Sequence, residues 1–186
     1  VLFRSGDTDK MKKLLIAIAS VVFVYTNFNP SYNLRKYSVY YAHNMPHKEG
    51  IHPEMAMALE NIKAIYTPDK KGIKYDYDGL AKVYNENNRV NGNIPAISAT
   101  YDDNGVQYMY FRTDNKYYIW GDDFFLKGIY DPNTANMASE KIEGGQEALY
   151  KEVYKNFGFL VEANVNRKPL INMQKRFNEK YYKRFN

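Results

Sequence analysis

The chain has 186 residues, of which 45% are hydrophobic and 25% are charged, and these proportions favour one folded domain over disorder. It contains no cysteine, which excludes disulfides, thiolate metal sites, a cysteine nucleophile and a lipoprotein anchor. The net charge of +5 is uneven, since residues 30–166 hold 15 basic and 18 acidic groups whereas residues 167–186 hold seven basic groups and one acidic group. The basic character therefore belongs to the C-terminal segment and says little about the partners of the body.

A short basic start and an apolar run near the N-terminus predict a signal peptide or membrane anchor over residues 11–28. Met11 is followed by two lysines, and the run from Leu14 to Tyr25 is largely apolar, which is typical of an export signal. We interpret residues 1–10 as a non-native or untranslated leader, because they begin like translated adaptor DNA. No small-residue cleavage site follows Tyr25, so export to the periplasm or extracellular space and retention as a membrane anchor both stay open. A buried helix or strand of a cytosolic protein is a third interpretation.

All three histidines, His43, His47 and His52, lie within ten residues of one another. Imidazole binds zinc, copper and iron, so the cluster is a candidate site for a divalent transition metal. Pro46 and Gly50 interrupt the helical spacing that would bring two of these ligands to one face. The alternative is a solvated loop in which three histidines happen to fall.

Residues 29–186 are predicted to form a single α+β domain. The clearest signal is an antiparallel meander of three to four strands over about 94–130, in which Asn104 and Gly105 mark a hairpin. Residues 29–46, by contrast, are predicted to be extended. Helices that flank the sheet are predicted to begin near Pro53, Asp78 and Gln146.

The aromatic content is high, with 19 Tyr and 10 Phe against one Trp. Tyr combines a large apolar ring with a polar tip, which suits a strand surface that binds a protein, peptide or glycan. The candidate binding residues on the predicted sheet are Tyr108, Tyr110, Tyr117 and Trp120. Strand alternation places Tyr108 and Tyr110 on one side, and Met109 and Phe111 on the other. Alternatively, the tyrosines replace aliphatic residues in the core of a small sheet.

Asp122 and Asp123 lie at the end of the predicted sheet and are the candidate catalytic residues. Paired carboxylates act as general acid and base when their environments differ. Aspartate is also common in turns, which is the alternative interpretation. The sequence has neither a Gly-x-Ser-x-Gly elbow nor a glycine-rich phosphate loop with Lys-Ser/Thr, so a non-enzymatic role is favoured.

Residues 170–185 are predicted to form an amphipathic helix with a basic face. Its candidate residues for contact with an anionic membrane surface are Lys175, Arg176, Lys180, Lys183 and Arg184. Alternatively, the apolar stripe of this helix closes the core of the domain while the basic side chains face water. Export would make nucleic acid an unexpected partner.

These patterns favour an exported or membrane-tethered, non-enzymatic binding module that needs no cofactor and recognises a protein, peptide or glycan through its tyrosine-rich sheet. One alternative is a hydrolase of envelope polymers that uses the histidines with a metal, or the aspartate pair. Another is a structural or lysis-associated envelope protein whose basic tail contacts lipid.

Overall fold

The protein has an α+β fold, as predicted, in which helices pack against one antiparallel sheet. The computed structural model describes residues 5–103, 105–138, 142 and 144–186. The helices of this part are α1 (Ser5–Phe28), α2 (Pro30–Lys36), α3 (Ser38–His43), α4 (Pro53–Glu60), α5 (Gly145–Phe157), α6 (Phe159–Val165) and α7 (Gln174–Phe185). The strands are β1 (Ile73–Asp76), β2 (Ala81–Asn85), β3 (Ala96–Asp102), β4 (Gly105–Phe111), β5 (Tyr117–Trp120), β6 (Leu126–Asp131) and β7 (Asn136–Ala138).

The sheet is larger than the predicted meander of three to four strands. Its seven strands follow one another in chain order, and each is antiparallel to the next. The predicted hairpin is confirmed between β3 and β4, where Asp102 pairs with Gly105; Asn104 itself lies outside the described residues. Gly105 has a φ of 120°, a conformation that glycine adopts more easily than other residues. The prediction missed β1, β2 and β7.

The helix predicted from Asp78 is wrong, because this segment is a turn followed by β2. In that strand Ala81, Val83 and Asn85 are buried whereas Lys82 is exposed, which is the period of two that a strand produces. Hydrogen bonding to β1 on one side and β3 on the other overrides the weak helical pattern of the sequence.

Residues 29–46, predicted to be extended, contain two short helices instead. Asn29 caps α2, since its side-chain oxygen accepts the Tyr32 N–H at 3.1 Å. Pro30 occupies the first turn, where a missing N–H leaves no helical hydrogen bond unmade. The next helix, α3, packs against α4 and α6 and buries Tyr41 completely. Tertiary packing therefore outweighs the β preference of this tyrosine-rich run.

Helices α3–α7, which come from before and after the sheet in the chain, share one core with it. α4 and α5 contact the sheet directly, and α3 and α6 pack on α4. α4 begins at the predicted residue and α5 begins within one residue of its predicted start, whereas α7 is shorter than the predicted helix over residues 170–185. The largest fully buried side chains come from both layers and include Trp120, Tyr41, Phe124, Phe157, Phe177 and Phe185.

The N-terminal helix α1 stands apart from this core. The stretch Asp7–Phe28 is long and apolar enough to cross a membrane by length and composition, and almost all of it is exposed. Among the residues whose burial is described, 7–25 are exposed, and the last turn joins the domain. There Asn27 is buried and its carbonyl oxygen accepts the Asn33 Nδ2–H at 3.1 Å. The helix is compatible with the predicted signal or anchor over residues 11–28.

Candidate functional site on the open face of the sheet

The two faces of the sheet have different environments. In β4, Val106, Tyr108 and Tyr110 are buried beneath the helices, whereas Met109 and Phe111 on the opposite side are half-buried. We call the first side the covered face and the second the open face. The predicted alternation of β4 is confirmed, and the accessible side is the one that carries Met109 and Phe111.

Three of the four candidate binding residues lie on the covered face. Tyr108 is 0% exposed, and Tyr110 and Trp120 are each 1% exposed, so these rings have no access to a ligand at the surface. Tyr117 is the exception, because its side chain lies half-buried on the open face. Of the four candidates, Tyr117 alone is accessible as a binding residue. Tyr108, Tyr110 and Trp120 belong to the core.

The buried tyrosine hydroxyls are paired with glutamates from the helices. Tyr108 donates to Glu60 of α4, and Arg184 of α7 binds the same carboxylate in a bidentate arrangement at 2.6 and 3.2 Å. Tyr110 donates to Glu152 of α5 at 2.7 Å. Burial raises the pKa of both hydroxyls above its ordinary value, so both remain protonated donors. These contacts hold three helices against the covered face.

On the open face, three aromatic rings lie side by side across neighbouring strands. Phe111 of β4 pairs with Tyr117 of β5, and Tyr117 pairs with Tyr130 of β6. Their ring centroids are 5.0 and 6.2 Å apart, and all three side chains are half-buried. We call this row the aromatic ladder (Phe111, Tyr117 and Tyr130). It provides a continuous apolar platform that solvent can reach.

Phe111 and Tyr117 of the ladder line a cleft of about 480 Å³. Two turns rise at its edge, one containing Gly79 and the other Asn91 and Gly92, and all three residues have positive φ angles. Such turns favour glycine and asparagine. Side chains that line the cleft include Lys82, Tyr84, Ser98, Thr100, Met109 and Phe111. A cleft of this size is in the range of sites that bind small molecules.

The charge in the cleft is balanced. Of the residues that line it, Asp78 and Lys82 alone carry a charge. The Lys82 ammonium lies 5.0 Å from the centre of the Tyr84 ring, a favourable cation–π distance. Ser98 and Thr100 add hydroxyl groups that both donate and accept hydrogen bonds. The arrangement combines apolar rings with neutral polar groups and little net charge.

The three histidines have separate local partners. His43 Nδ1 lies 3.1 Å from Glu54, and His47 Nδ1 lies 2.9 Å from the Met45 carbonyl oxygen. His52 stacks on Tyr150, and its Nε2 lies 3.3 Å from Glu147. Burial lowers the pKa of His52 below its ordinary value. Within the described part of the chain, no group of three or more His, Cys, Asp or Glu residues is placed to hold a metal ion.

The candidate catalytic aspartates occupy a turn between β5 and β6. Asp123 accepts the Phe125 N–H at 3.0 Å and lies 3.3 Å from Lys127 Nζ, which is the ordinary turn role of Asp. Asp122 is exposed, and its carbonyl oxygen accepts a hydrogen bond from Arg184. Their catalytic role remains a prediction that this geometry does not support.

The basic C-terminal helix closes the core with its apolar stripe. Phe177 is 0% exposed and Phe185 is 1% exposed. Arg184 forms a buried ion pair with Glu60, so its guanidinium group does not face a membrane surface. The other basic residues of the set are exposed: Lys175, Arg176, Lys180 and Lys183. Contact of these four with a membrane stays a prediction.

Sequence reasoning missed most of the residues that form the cleft, including Phe111 and Asp78. The sequence correctly puts Phe111 and Tyr108 on different faces of β4. The preference for tyrosine as a binding residue, however, selects the covered face. The cross-strand pairing of three aromatic residues was available as a signal only once the strand register was known. Comparison with family models, curated proteins and solved structures finds no match to this chain.

Proposed function

We propose that the protein is a membrane-tethered, non-enzymatic binding module that holds a neutral glycan segment on the open face of its sheet. The observation that carries this proposal is the cleft of about 480 Å³ beside the aromatic ladder. The proposal keeps the binding role that the composition favours. It moves the binding residues from the covered face to the open face.

The chemistry of the cleft favours a sugar over a charged ligand. Sugar rings have apolar C–H faces that pack on aromatic rings, and hydroxyl rims that need hydrogen-bonding partners. The cleft supplies the first through Phe111 and Tyr117 and the second through Ser98 and Thr100. The single acid and single base of the lining balance each other, so an ionic ligand gains little net attraction. A cleft of this volume is in the range that holds a small ligand, whereas stable protein partners bind through broad interfaces of about 1,200–2,000 Å².

The tether is proposed to be α1. Its apolar stretch is exposed and of spanning length, and an isolated apolar helix of this kind is stable in a bilayer but poorly solvated in water. The helix joins the domain within two residues, since α2 begins at Pro30. The open face would therefore be presented at a fixed distance from the membrane.

The experiment is a titration of the full chain, purified in neutral detergent, with neutral oligosaccharides followed by calorimetry. A hexasaccharide of N-acetylglucosamine and one of glucose serve as probes, and an uncharged hexapeptide is the competing ligand class. We expect Phe111→Ala and Tyr117→Ala to weaken oligosaccharide binding at least about tenfold, equivalent to roughly 1.4 kcal/mol.

Tyr101→Ala is the matched control, because Tyr101 is 68% exposed on the same hairpin and does not line the cleft. It should leave the affinity unchanged. Tighter binding of the peptide than of both sugars would mean that the cleft binds peptides and not glycans. Equal losses from Tyr101→Ala and Tyr117→Ala would contradict the assignment of the site.

A further inference from the structure

A second, basic pocket lies directly beyond the end of α1. It has a volume of about 340 Å³ and is lined by Pro30, Ser31, Leu34, Arg35, Arg176, Lys180 and Tyr181. Pro30 and Ser31 open α2, only two and three residues after Phe28 ends α1. Consecutive Cα atoms are about 3.8 Å apart, so Pro30 and Ser31 of this pocket lie no more than about 8–11 Å from the end of the apolar helix.

The pocket carries three positive charges without a matching acid. Arg35, Arg176 and Lys180 all line it and all three side chains are exposed, and its lining includes no Asp or Glu. Within the described residues, neither Arg35 nor Arg176 has a carboxylate at ion-pair distance. Arginine matches phosphate oxygens with paired N–H donors, and Ser31 adds a hydroxyl donor at the same site. A phosphate monoanion or diester is the chemistry that completes such a site.

The geometry of the pocket is held by buried hydrogen bonds. Asn33, which is 0% exposed, donates from Nδ2 to the carbonyl oxygens of Asn27 at the end of α1 and of Ile171 before α7, each at 3.1 Å. The Tyr41 hydroxyl donates to the Asn33 oxygen at 2.7 Å and accepts the Met173 N–H at 3.0 Å. α2 and α7, which carry the three cations, are therefore fixed relative to the end of α1.

The surroundings indicate a membrane interface at this level. Tyr25 and Phe28 are exposed on the last turns of α1, and the Tyr25 ring lies 6.0 Å from that of Tyr32. Aromatic residues at the end of an apolar helix are typical of the zone where lipid headgroups meet hydrocarbon. The pocket also has an apolar side, formed by Leu34 and Tyr181, that matches the glycerol and upper chain of a lipid better than a free ion.

We propose that this pocket binds the phosphate headgroup of an anionic phospholipid from the membrane in which α1 is anchored. The inference rests on the tether part of the proposed function and is independent of glycan binding. Arg35, Arg176 and Lys180 contact the phosphate, and the acyl chains of the lipid run along α1. The bound lipid orients the domain on the bilayer surface.

The experiment measures binding of short-chain phosphatidylglycerol to the full chain in neutral detergent, by calorimetry. Short-chain phosphatidylcholine and inorganic phosphate are the comparison ligands. We expect phosphatidylglycerol to bind at least tenfold more tightly than either. The double variant Arg176→Gln, Lys180→Gln should reduce that affinity at least tenfold, and Arg35→Gln should reduce it severalfold.

The matched control is Lys175→Gln, Lys183→Gln, which removes the same charge from the same helix at positions outside the pocket. It should change the affinity less than twofold. Equal losses in the two double variants would show unspecific attraction to a basic helix and overturn the pocket. Equal binding of inorganic phosphate would overturn the lipid assignment, and so would equal binding of phosphatidylcholine.

Carbonate extraction of membranes from producing cells separates this inference from the tether. Full retention in the membrane without selective phosphatidylglycerol binding contradicts the pocket alone. Release of the chain by carbonate contradicts the tether, and with it the membrane source of the lipid. A fold check by circular dichroism on each variant ensures that a loss of affinity reflects the pocket.

Discussion

Both faces of the sheet carry aromatic residues, but those of the covered face are buried in the core and those of the open face are accessible to solvent. On the covered face, Tyr108 and Tyr110 bury both ring and hydroxyl, and each hydroxyl donates to a glutamate from a helix. On the open face, the rings of Phe111, Tyr117 and Tyr130 lie side by side at tilted angles and stay half-buried. The comparison teaches that a tyrosine becomes structural when a distant helix supplies an acceptor for its hydroxyl. The half-buried rings of the open face are the ones that we propose to contact a ligand.

The largest effect on the free energy of unfolding should come from removing Glu60, the carboxylate that pairs with Tyr108 and Arg184 under the covered face. Glu60→Ala leaves Arg184 without its partner in a site where the side chains of the pair are only 8% and 15% exposed. Breaking such a pair from one side typically costs about 3–5 kcal/mol. We expect a loss of this size in the free energy of unfolding of the full chain, measured by urea denaturation in detergent.

Glu86→Ala is the control for this prediction, because Glu86 forms an ion pair with Lys74 at 2.6 Å at the surface. Exposed pairs contribute about 0–1 kcal/mol, so the control should cost far less. A loss for Glu60→Ala no larger than that for Glu86→Ala would mean that the buried contacts do not hold α7 on the sheet.

A smaller and more specific effect distinguishes the hydroxyls of the two faces. Tyr108→Phe removes a donor from the buried Glu60 carboxylate, which should cost about 1–3 kcal/mol of unfolding free energy. Tyr117→Phe removes a hydroxyl from the half-buried open face and should cost less than about 0.5 kcal/mol. Equal losses, by the same denaturation experiment, would erase the distinction between the faces.

The sequence predicted those parts of the fold that depend on local signals. The α+β class, the β3–β4 hairpin and α5 follow from turn residues and helical spacing that lie within a few residues of one another. β2 was missed because its stability comes from pairing with β1 and β3, one of which was also missed. Helix α3 was missed because burial against α4 and α6 outweighs its local β preference, and α2 was missed because the capping role of Asn29 was not recognised.

The site was harder to predict than the fold, for a specific physical reason. Alternation divides β4 into two sides, but the helices decide which side is buried. Their Glu60 and Glu152 accept hydrogen bonds from Tyr108 and Tyr110, which lie 48 and 42 residues away in the chain. No local pattern connects residues at that separation. The basic pocket combines Arg35 with Arg176 across an even longer stretch of chain. The sequence identified Arg176 and Lys180 as membrane candidates but gave no reason to include Arg35.

The smallest predicted effect concerns pH and compares the half-buried His52 on the helical side of the sheet with the exposed His43. Burial against Tyr150 holds the pKa of His52 below its ordinary value, and this outweighs the opposing effect of Glu147. Because the unfolded chain protonates first as the pH falls, stability from neutral His52 is complete above about pH 6.5 and declines below it. We expect the parent protein to lose more unfolding free energy between pH 7.5 and pH 5.5 than His52→Gln does.

The control is His43→Gln, since the His43 side chain is 57% exposed beside Glu54. Carboxylates across the protein also titrate as the pH falls, and their contribution cancels when each variant is compared with the parent at every pH. The difference between parent and His52→Gln should therefore shrink or reverse toward pH 5.5, whereas that for His43→Gln should not follow this course. Parallel curves for parent and His52→Gln would show that burial of this ring does not make folding sensitive to pH.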